Sequence, residues 1–177
     1  ERASFLAGQL ALVYRGENIL RGFDDDLRTH LHKEMERRGI KIVTRQIVEA
    51  IEKVEHGLCI TLPDHEAFTV DQAMFALGRH PNVSGFGLEK IGVRIAKNGG
   101  IAVNEFSQTS VPLIGAIGDV TNRVNLTPVA IREGHAYADT VFGGKPTPVD
   151  HANVPTAVFS EPECGVIGLT EAQAIDL

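Results

Sequence analysis

The order of the first elements constrains the fold most: a short apolar strand, an amphipathic helix and a second apolar strand. The first strand is predicted at residues 10–14, and the acidic residues 24–26 mark the helix start, where carboxylates satisfy free amides and oppose the helix dipole. Gly39 follows the helix as a C′ glycine, and residues 40–43 form the second strand. This alternation of strands and a helix indicates the α/β fold class.

The next segments predict a hairpin region and then a buried strand. Residues 72–77 form a continuous apolar run, which predicts a strand covered on both faces. The glycine, proline and asparagine among residues 78–82 predict a loop at the end of this strand. This order of elements is typical of the later half of a Rossmann-like, nucleotide-binding α/β domain. The hairpin strands are predicted at residues 47–54, 58–62 and 67–70, with turns at His56-Gly57 and Pro63-Asp64.

The remainder of the chain predicts smaller units. A strand of small residues at 114–117 stops at Gly118-Asp119, and a helix runs from Thr127-Pro128 to about residue 142. Residues 143–149 have the composition of a linker. Further strands are predicted at residues 154–159 and 164–168, and a helix opens at residue 169. Because residues 1–7 are typical of a helix end, we interpret the chain as an internal fragment.

Composition excludes several function classes. The net charge is −6 with both signs interspersed and no basic stripe, so we expect no nucleic-acid partner. No apolar run approaches the ~20 residues of a membrane span and no signal peptide is evident, so we expect a cytoplasmic protein. The histidines and cysteines lack zinc-site spacing, and we expect no metal. Cys59 and Cys164 are interpreted as buried thiols, with a disulfide as the alternative.

Arg15 and Arg21 follow the first strand, where a Rossmann unit recognises the adenosine ribose. NAD-specific sites place an acidic residue there to accept from the 2′-hydroxyl. Two guanidiniums instead suit a dianionic 2′-phosphate, through forked, charge-assisted hydrogen bonds. The alternative is a pair of solvated surface arginines.

Two further segments carry candidate binding residues. Gly78 allows a ligand to lie against the backbone and Arg79 could screen a pyrophosphate; the alternative is a simple strand-end turn. Gly118 permits close approach, and Asp119 could accept hydrogen bonds from a polyol. The amides of residues 126–129 form a helix N-terminus able to stabilise an anionic ring oxygen. The alternative is an ordinary turn capped by Asp119.

Five segments in this order resemble the pyridine nucleotide–disulfide oxidoreductases, and among them most closely the glutathione reductases. The resemblance covers nearly the whole chain. It implies a C-terminal part of an NADPH-binding domain at residues 1–81, part of an FAD-binding and central domain at 82–148, and the start of an α+β dimerisation domain at 149–177. The segments are LVYRGENILRGFD, MFALGRHPN, IGAIGDVTN, NLTPVAIREG and PTAVFSEPECGVIGLTE.

The resemblance also implies roles for individual residues. The NADPH set would be Arg15 and Arg21 on the 2′-phosphate, with Gly78 and Arg79 beside the bound nucleotide. Asp119 would hold the ribityl and pyrophosphate region of FAD, while Leu126 and Thr127 would lie against the flavin. Ala157 and Phe159 would lie near the nicotinamide side of the flavin, and Glu1 would pair with a flavin-side lysine. Gly115 replaces a usual tyrosine.

The implied reaction passes a hydride from NADPH to FAD, and then electrons to a redox disulfide that reduces a small-molecule disulfide, glutathione disulfide above all. The full-length enzyme would be a homodimer. The chain has no CxxxxC pair and no matching His-Glu, so no catalytic residue is assigned. Alternatives are another substrate, such as dihydrolipoamide or mercuric ion, or a non-catalytic truncated product. Arg15 and Arg21 count against the NAD-using dihydrolipoamide branch.

Overall fold

The computed structural model describes residues 10–177. The described chain forms two compact units: one contains the residues up to Phe75 together with Pro155–Leu177, and the other contains Ala76–Val154. Helices and strands both occur, which confirms the mixed α/β class. The predicted helix end at residues 1–7 and the proposed role of Glu1 lie outside the described residues. The boundaries at residues 81 and 148 stay a prediction.

The first unit begins with the predicted strand–helix–strand. Strand β1 (Ala11–Tyr14) pairs in parallel with β2 (Lys41–Thr44), and helix α1 (Asp25–Arg37) connects them. The Asp24 carboxylate caps α1 by accepting from the Asp26 amide at 3.0 Å. Leu31 is the buried residue of the helix, only 1% exposed. These elements confirm the sequence prediction.

An antiparallel meander follows, as predicted. It consists of β3 (Ala50–Val54), β4 (Gly57–Leu62) and β5 (His65–Val70), with an irregularity in the register between β4 and β5. The alternation of side chains packs one face of this sheet around a small apolar core. The buried members of that core are Val43, Ile60 and Leu62.

The predicted buried strand at residues 72–77 is wrong. These residues form no regular secondary structure and are all exposed, with Met74 90% and Leu77 88% accessible. A continuous apolar run becomes a buried strand only when neighbouring strands and helices cover it. Within residues 10–177, the β1–β2 sheet has two strands and the β3–β5 sheet three, and neither takes up this segment.

The first unit ends with the predicted strands and helix at the C-terminal side of the chain. Strands β6 (Thr156–Val158) and β7 (Cys164–Val166) are antiparallel, and α3 (Glu171–Ile175) follows. Thr170 and Gln173 form a capping box at α3. The Asp24 carboxylate also accepts from the Glu171 amide at 2.8 Å, so a single side chain contacts the first turns of α1 and α3.

The second unit is built mainly of turns around one helix. The predicted strand at residues 114–117 is reduced to an isolated bridge between Gly115 and Gln108. Two backbone bonds flank it, from the Thr109 amide to the Ile114 carbonyl at 3.1 Å and from the Ala116 amide to the Ser107 carbonyl at 3.0 Å. A short 3₁₀ helix occupies Gly118–Thr121, and α2 spans Thr127–Val141 with Pro128 in its first turn, which confirms the predicted helix. The buried core residues are Val93, Ile101 and Ala116.

Candidate functional site

Arg15 and Arg21 lie in the arginine loop (residues 15–24), which connects β1 to α1. Both side chains are exposed. Within the described part of the chain, neither guanidinium forms a hydrogen bond or an ion pair. Two cations without partners among residues 10–177 can bind an anionic group, as the sequence predicted for a 2′-phosphate.

The arginine loop is held against α1 by buried and polar contacts. Ile19 is only 6% exposed. Arg28 of α1 donates from Nε to the Ile19 carbonyl at 2.8 Å and from Nη2 to the Asn18 carbonyl at 3.0 Å. His32 Nδ1 lies 2.8 Å from Asn18 Oδ1. The backbone that carries Arg15 and Arg21 is therefore fixed by the helix.

An acidic residue in the arginine loop is already neutralised. Glu17 pairs with Arg45 at 2.8 Å, and the Arg45 amide donates to the Gly16 carbonyl at 2.9 Å. Sequence reasoning missed Arg45. The sequence contained a signal for Arg45. Arg15 directly follows β1 and Arg45 directly follows β2, and these two strands are parallel, with Tyr14 opposite Thr44. Residues after adjacent parallel strands meet at one sheet edge.

Gly78 and Arg79 lie in the exposed segment that follows residue 77. Gly78 has φ +125°, and a Cβ there would meet nothing within 4 Å. Arg79 is exposed, without an ion pair among residues 10–177. Both belong to the second unit, whereas Arg15 and Arg21 belong to the first. Their joint role in nucleotide binding stays a prediction.

Asp119 lies within the aspartate turn, the 3₁₀ helix Gly118–Thr121. Its side chain is exposed and accepts no hydrogen bond in the described part of the chain. Ile117, not Asp119, occupies the cap position, and no side chain caps the turn there. The alternative of a turn capped by Asp119 is therefore not what the structure shows. The carboxylate is available to a hydroxyl donor.

The N-terminus of α2 also lacks a protein cap. Leu126 is the N-cap residue and has no side-chain acceptor, and Thr127 begins the helix. The first regular bond runs from the Ala130 amide to the Leu126 carbonyl at 3.0 Å. Amides of an uncapped first turn carry partial positive charge and can donate to an anionic oxygen.

Beneath the aspartate turn lies a buried charge cluster that sequence reasoning missed. Glu133 of α2 is 1% exposed. Its Oε2 accepts from the Gly118 amide at 2.6 Å, and its Oε1 lies 2.9 Å from Arg123 and 2.6 Å from His151 Nε2. A signal existed in the helix periodicity. Glu133 lies four residues after Val129 and three before Ala136, both of which are buried.

Two glycines allow close packing around α2. Gly118 has φ +67°, and a Cβ there would lie 3.0 Å from the Ala130 Cβ. A Cβ on Gly115 would overlap the Tyr137 ring, so that ring covers the backbone at the position where the resemblance implied a tyrosine. An aromatic group is thus still present in this region, but it comes from the helix.

The remaining candidates lie in the first unit. Ala157 is in β6 opposite Gly165, and Phe159 is 90% exposed just beyond the strand. Cys59 and Cys164 are both free and partly exposed, so the disulfide alternative is excluded in this structure and full burial is not observed. The proximity of Ala157 and Phe159 to a flavin stays a prediction.

None of the helices described combines the length and apolar character needed to cross a bilayer. No three histidine, cysteine, aspartate or glutamate side chains among residues 10–177 are grouped closely enough to hold a metal ion.

Comparison with known proteins identifies the family. The profile of the pyridine nucleotide-disulphide oxidoreductases matches residues 2–134. Glutathione reductase from Burkholderia cepacia is 52% identical over 97% of this chain and 38% of its own length, and trypanothione reductase from Trypanosoma congolense is 45% identical over 96% and 35%.

A solved structure agrees with this assignment. The HOCl-induced flavoprotein disulfide reductase RclA from Escherichia coli superposes with a TM-score of 0.88 at 26% identity, over 96% of this chain and 39% of its own. The chain thus spans well under half the length of the relatives it matches. The chain belongs to the pyridine nucleotide-disulphide oxidoreductase family.

Proposed function

We propose that this chain supplies nucleotide- and flavin-binding parts of an FAD-dependent NADPH:disulfide oxidoreductase of the glutathione reductase type. The observation that carries the proposal is the pair of exposed guanidiniums at Arg15 and Arg21, which have no partner among the described residues and lie on an anchored loop after β1. The substrate class is a small-molecule disulfide, glutathione disulfide above all, as the 52% identical relative suggests.

The arginine loop fits NADPH better than NADH. Arg15 and Arg21 offer forked donors to the 2′-phosphate, which NADH lacks. The Arg45 guanidinium pairs with Glu17 and so offsets the negative charge that would otherwise repel a phosphate in this loop. In the second unit, Gly78 and Arg79 would lie beside the nucleotide, with the guanidinium screening the pyrophosphate.

The aspartate turn and α2 fit FAD. Asp119 would accept hydrogen bonds from the ribityl and pyrophosphate region, and the open carboxylate supports this role. Leu126 and Thr127 would lie against the flavin, and the uncapped amides of α2 would stabilise negative charge on its pyrimidine oxygen. When bound, FAD would supply the two-electron chemistry that links nicotinamide to a disulfide.

The finer assignments follow from the same family. Ala157 and Phe159 would face the nicotinamide side of the flavin. The domain boundaries would fall at residues 81 and 148, and residues 149–177 would begin the dimerisation domain of a homodimer. The free state of Cys59 and Cys164 is compatible with a reducing compartment such as the cytoplasm.

A second substrate deserves comparison because trypanothione reductases match this chain at 45% and 47% identity. The substrate-binding residues that distinguish the two enzymes are not assigned within this chain. The two substrates are distinguished by measuring the turnover of glutathione disulfide and of trypanothione disulfide by the full-length protein. Faster turnover of trypanothione disulfide than of glutathione disulfide would replace the proposed substrate.

The nucleotide assignment is tested by titrating the chain with NADP⁺ and NAD⁺ in a calorimeter. We expect NADP⁺ to bind at least about tenfold more tightly, since each charged hydrogen bond to the 2′-phosphate contributes about 1.5–3 kcal/mol. Adenosine 2′,5′-bisphosphate should compete with NADP⁺, and adenosine 5′-monophosphate should compete poorly. Equal affinities for NADP⁺ and NAD⁺ would contradict the proposal.

We expect the chain alone to lack NADPH:disulfide reductase activity. In isolation its proposed role is therefore limited to binding the nucleotide and the flavin. Electron transfer to a substrate disulfide needs a vicinal cysteine pair near the flavin, and Cys59 and Cys164 are separate, free thiols. NADPH oxidation is followed with FAD and glutathione disulfide. Turnover above the buffer blank that is lost in Cys59→Ser or Cys164→Ser would require a new redox pair.

A further inference from the structure

Glu133 is a buried carboxylate whose partners surround the aspartate turn. Both of its oxygens are used, one by the Gly118 amide and the other by Arg123 and His151. A carboxylate can only accept hydrogen bonds, so it fixes the direction of all three donors. The side chain is 1% exposed, and burying a charge in this way is costly unless it is fully paired.

The cluster extends from Glu133 to the far end of the turn. Arg123 donates from Nε to Thr121 Oγ1 at 3.2 Å, and Thr121 Oγ1 donates to the Gly118 carbonyl at 2.8 Å. Arg123 also donates to Ser107 Oγ at 3.2 Å. Thr121 and Ser107 are both nearly inaccessible. Gly118 is thus bound through its amide and its carbonyl.

Asp119 differs from the anchoring residues around it in the use of its side chain. The residues on either side of it, Gly118 and Val120, belong to a turn that is fixed from below, and the Ile101 amide donates to the Val120 carbonyl at 2.9 Å. The Asp119 carboxylate accepts no hydrogen bond from any described residue. The charges of Glu133 and Arg123 are used to shape the backbone of the turn, whereas the Asp119 carboxylate is left for a ligand.

We propose that Glu133 is a positioning residue for flavin binding, which acts by holding the aspartate turn in the conformation that presents Asp119. This inference rests on the proposed function. A turn fixed before the ligand arrives loses little conformational freedom on binding, which strengthens affinity. Glu133 would not itself contact the flavin, because its side chain is only 1% exposed.

His151 connects the same carboxylate to the segment that follows α2. Its Nε2 lies 2.6 Å from Glu133 Oε1, although His151 is 18 residues further along the chain. The aspartate turn and residue 151 therefore share one acceptor. Displacing His151 would leave Arg123 as the sole described partner of that oxygen, so the position of this segment affects the turn.

The first test compares the FAD affinity of Glu133→Gln with that of the unsubstituted chain, by quenching of flavin fluorescence. Glutamine keeps the shape but places an amide donor or a weaker acceptor against Gly118 and leaves Arg123 without a counter-charge. We expect the dissociation constant for FAD to rise about tenfold or more, with the NADP⁺ affinity of the first unit unchanged. Glu105→Gln, at an exposed glutamate in the same unit without a described partner, is the matched control and should have no effect.

The second test observes the turn directly by NMR in the ligand-free chain. The short bond from the Gly118 amide to a carboxylate should move its proton resonance downfield and slow its exchange with solvent. Glu133→Gln should move the Gly118 resonance upfield and speed exchange across residues 118–121, while protection in β3–β5 stays unchanged. Loss of protection everywhere would identify a merely structural role and overturn the proposal.

A milder variant covers the case in which Glu133→Gln does not fold. His151→Gln retains a donor for Glu133 Oε1, and we expect it to weaken FAD binding about threefold with a smaller shift of the Gly118 resonance. Wild-type FAD affinity in both variants would overturn the inference. If the unsubstituted chain binds no FAD, the proposed function fails for this chain, and the Gly118 resonance alone decides whether Glu133 holds the turn.

Discussion

The arginine loop and the aspartate turn prepare for a charged ligand in opposite ways. In the arginine loop the ligand-facing charges, Arg15 and Arg21, are exposed, and the loop is anchored by one buried side chain and by hydrogen bonds to its backbone carbonyls. In the aspartate turn the central anchoring group, Glu133, is itself charged and buried, and the Asp119 carboxylate is exposed.

This difference has a consequence for mutational sensitivity. Substituting a ligand-facing arginine removes an interaction with the ligand but disturbs little of the protein, because the arginine has no described partner. Substituting a residue that anchors the aspartate turn, such as Glu133 or Gly118, changes the backbone that presents the ligand-facing group. We therefore expect substitutions of ligand-facing residues in either region to change affinity alone, and substitutions of anchoring residues in the aspartate turn to change affinity and stability together.

The largest effect is expected from Arg15→Met combined with Arg21→Met. Each charged hydrogen bond to the 2′-phosphate contributes about 1.5–3 kcal/mol, so losing both should lower NADP⁺ affinity by about a hundredfold or more and leave NAD⁺ affinity unchanged. Thermal unfolding should be unaltered. Arg37→Met is the matched control, since that guanidinium pairs with Glu34 at 2.9 Å on the same unit. A preference for NADP⁺ that survives both substitutions would show that these arginines are not the phosphate site.

Asp119→Ala is expected to have the next largest effect. Loss of one charge-assisted acceptor should weaken FAD binding by about 1.5–3 kcal/mol, measured as flavin retained after purification and as the dissociation constant. Stability should change little, because the carboxylate has no described partner. Asp139→Ala, an exposed aspartate on α2, serves as the control. Full flavin retention in Asp119→Ala would contradict the proposed role of this exposed carboxylate in FAD binding.

Gly118→Ala should affect stability and affinity together. The residue has φ +67°, a left-handed conformation that costs an L-residue roughly 1–2 kcal/mol, and its Cβ would press on Ala130 at 3.0 Å. Gly99→Ala is the control, with φ +83° but nothing within 4 Å of a Cβ. Urea unfolding should show a greater loss for Gly118→Ala. Equal losses at both glycines would mean that the packing against α2 contributes nothing.

The smallest effect concerns Asp24, which lies in the first unit. Hydrogen bonds from the Glu171 amide, and then from the Asp26 amide, lower the pKa of this carboxyl from its ordinary value of 3.8. The unfolded chain therefore takes up the proton first, and the stabilisation is complete above pH 3.8 and lost as the pH falls through the folded-state pKa. Unfolding of Asp24→Asn should depend less on pH in this acid range.

The control for Asp24→Asn is Asp71→Asn, at an exposed aspartate without a described partner. Its unfolding should follow the acid dependence of the unsubstituted chain. Identical pH profiles for Asp24→Asn and the unsubstituted chain would show that the two amide bonds do not favour the charged carboxylate.

Elements with local signals were predictable from the sequence. Helices α1 and α2 begin where Asp24 and Pro128 indicate, since capping and first-turn preferences depend only on neighbouring residues. The strands of the meander follow from alternation and turn residues. The strand at residues 72–77 was predicted wrongly because burial on both faces depends on distant segments, which an apolar run does not specify.

The same distinction applies to the candidate sites. Arg15, Arg21 and Asp119 were found because each follows a strand or precedes a helix in a recognisable order, and their binding roles stay predictions. The Glu133 cluster was missed because its partners Gly118 and His151 lie 15 and 18 residues away, on different elements. The position of Glu133 on the buried face of α2 was the sequence signal that could have identified this cluster.

The two hydrogen bonds of the Asp24 carboxylate also bear on the order of folding. Its bond to the Glu171 amide spans 147 residues, whereas the bond that caps α1 spans two. Local contacts form early and closing a long loop costs entropy, so we expect α1 to form first and α3 to dock late. During synthesis the acceptor at residue 24 leaves the ribosome long before its second donor, and the first unit is not assembled until residues 155–177 have followed.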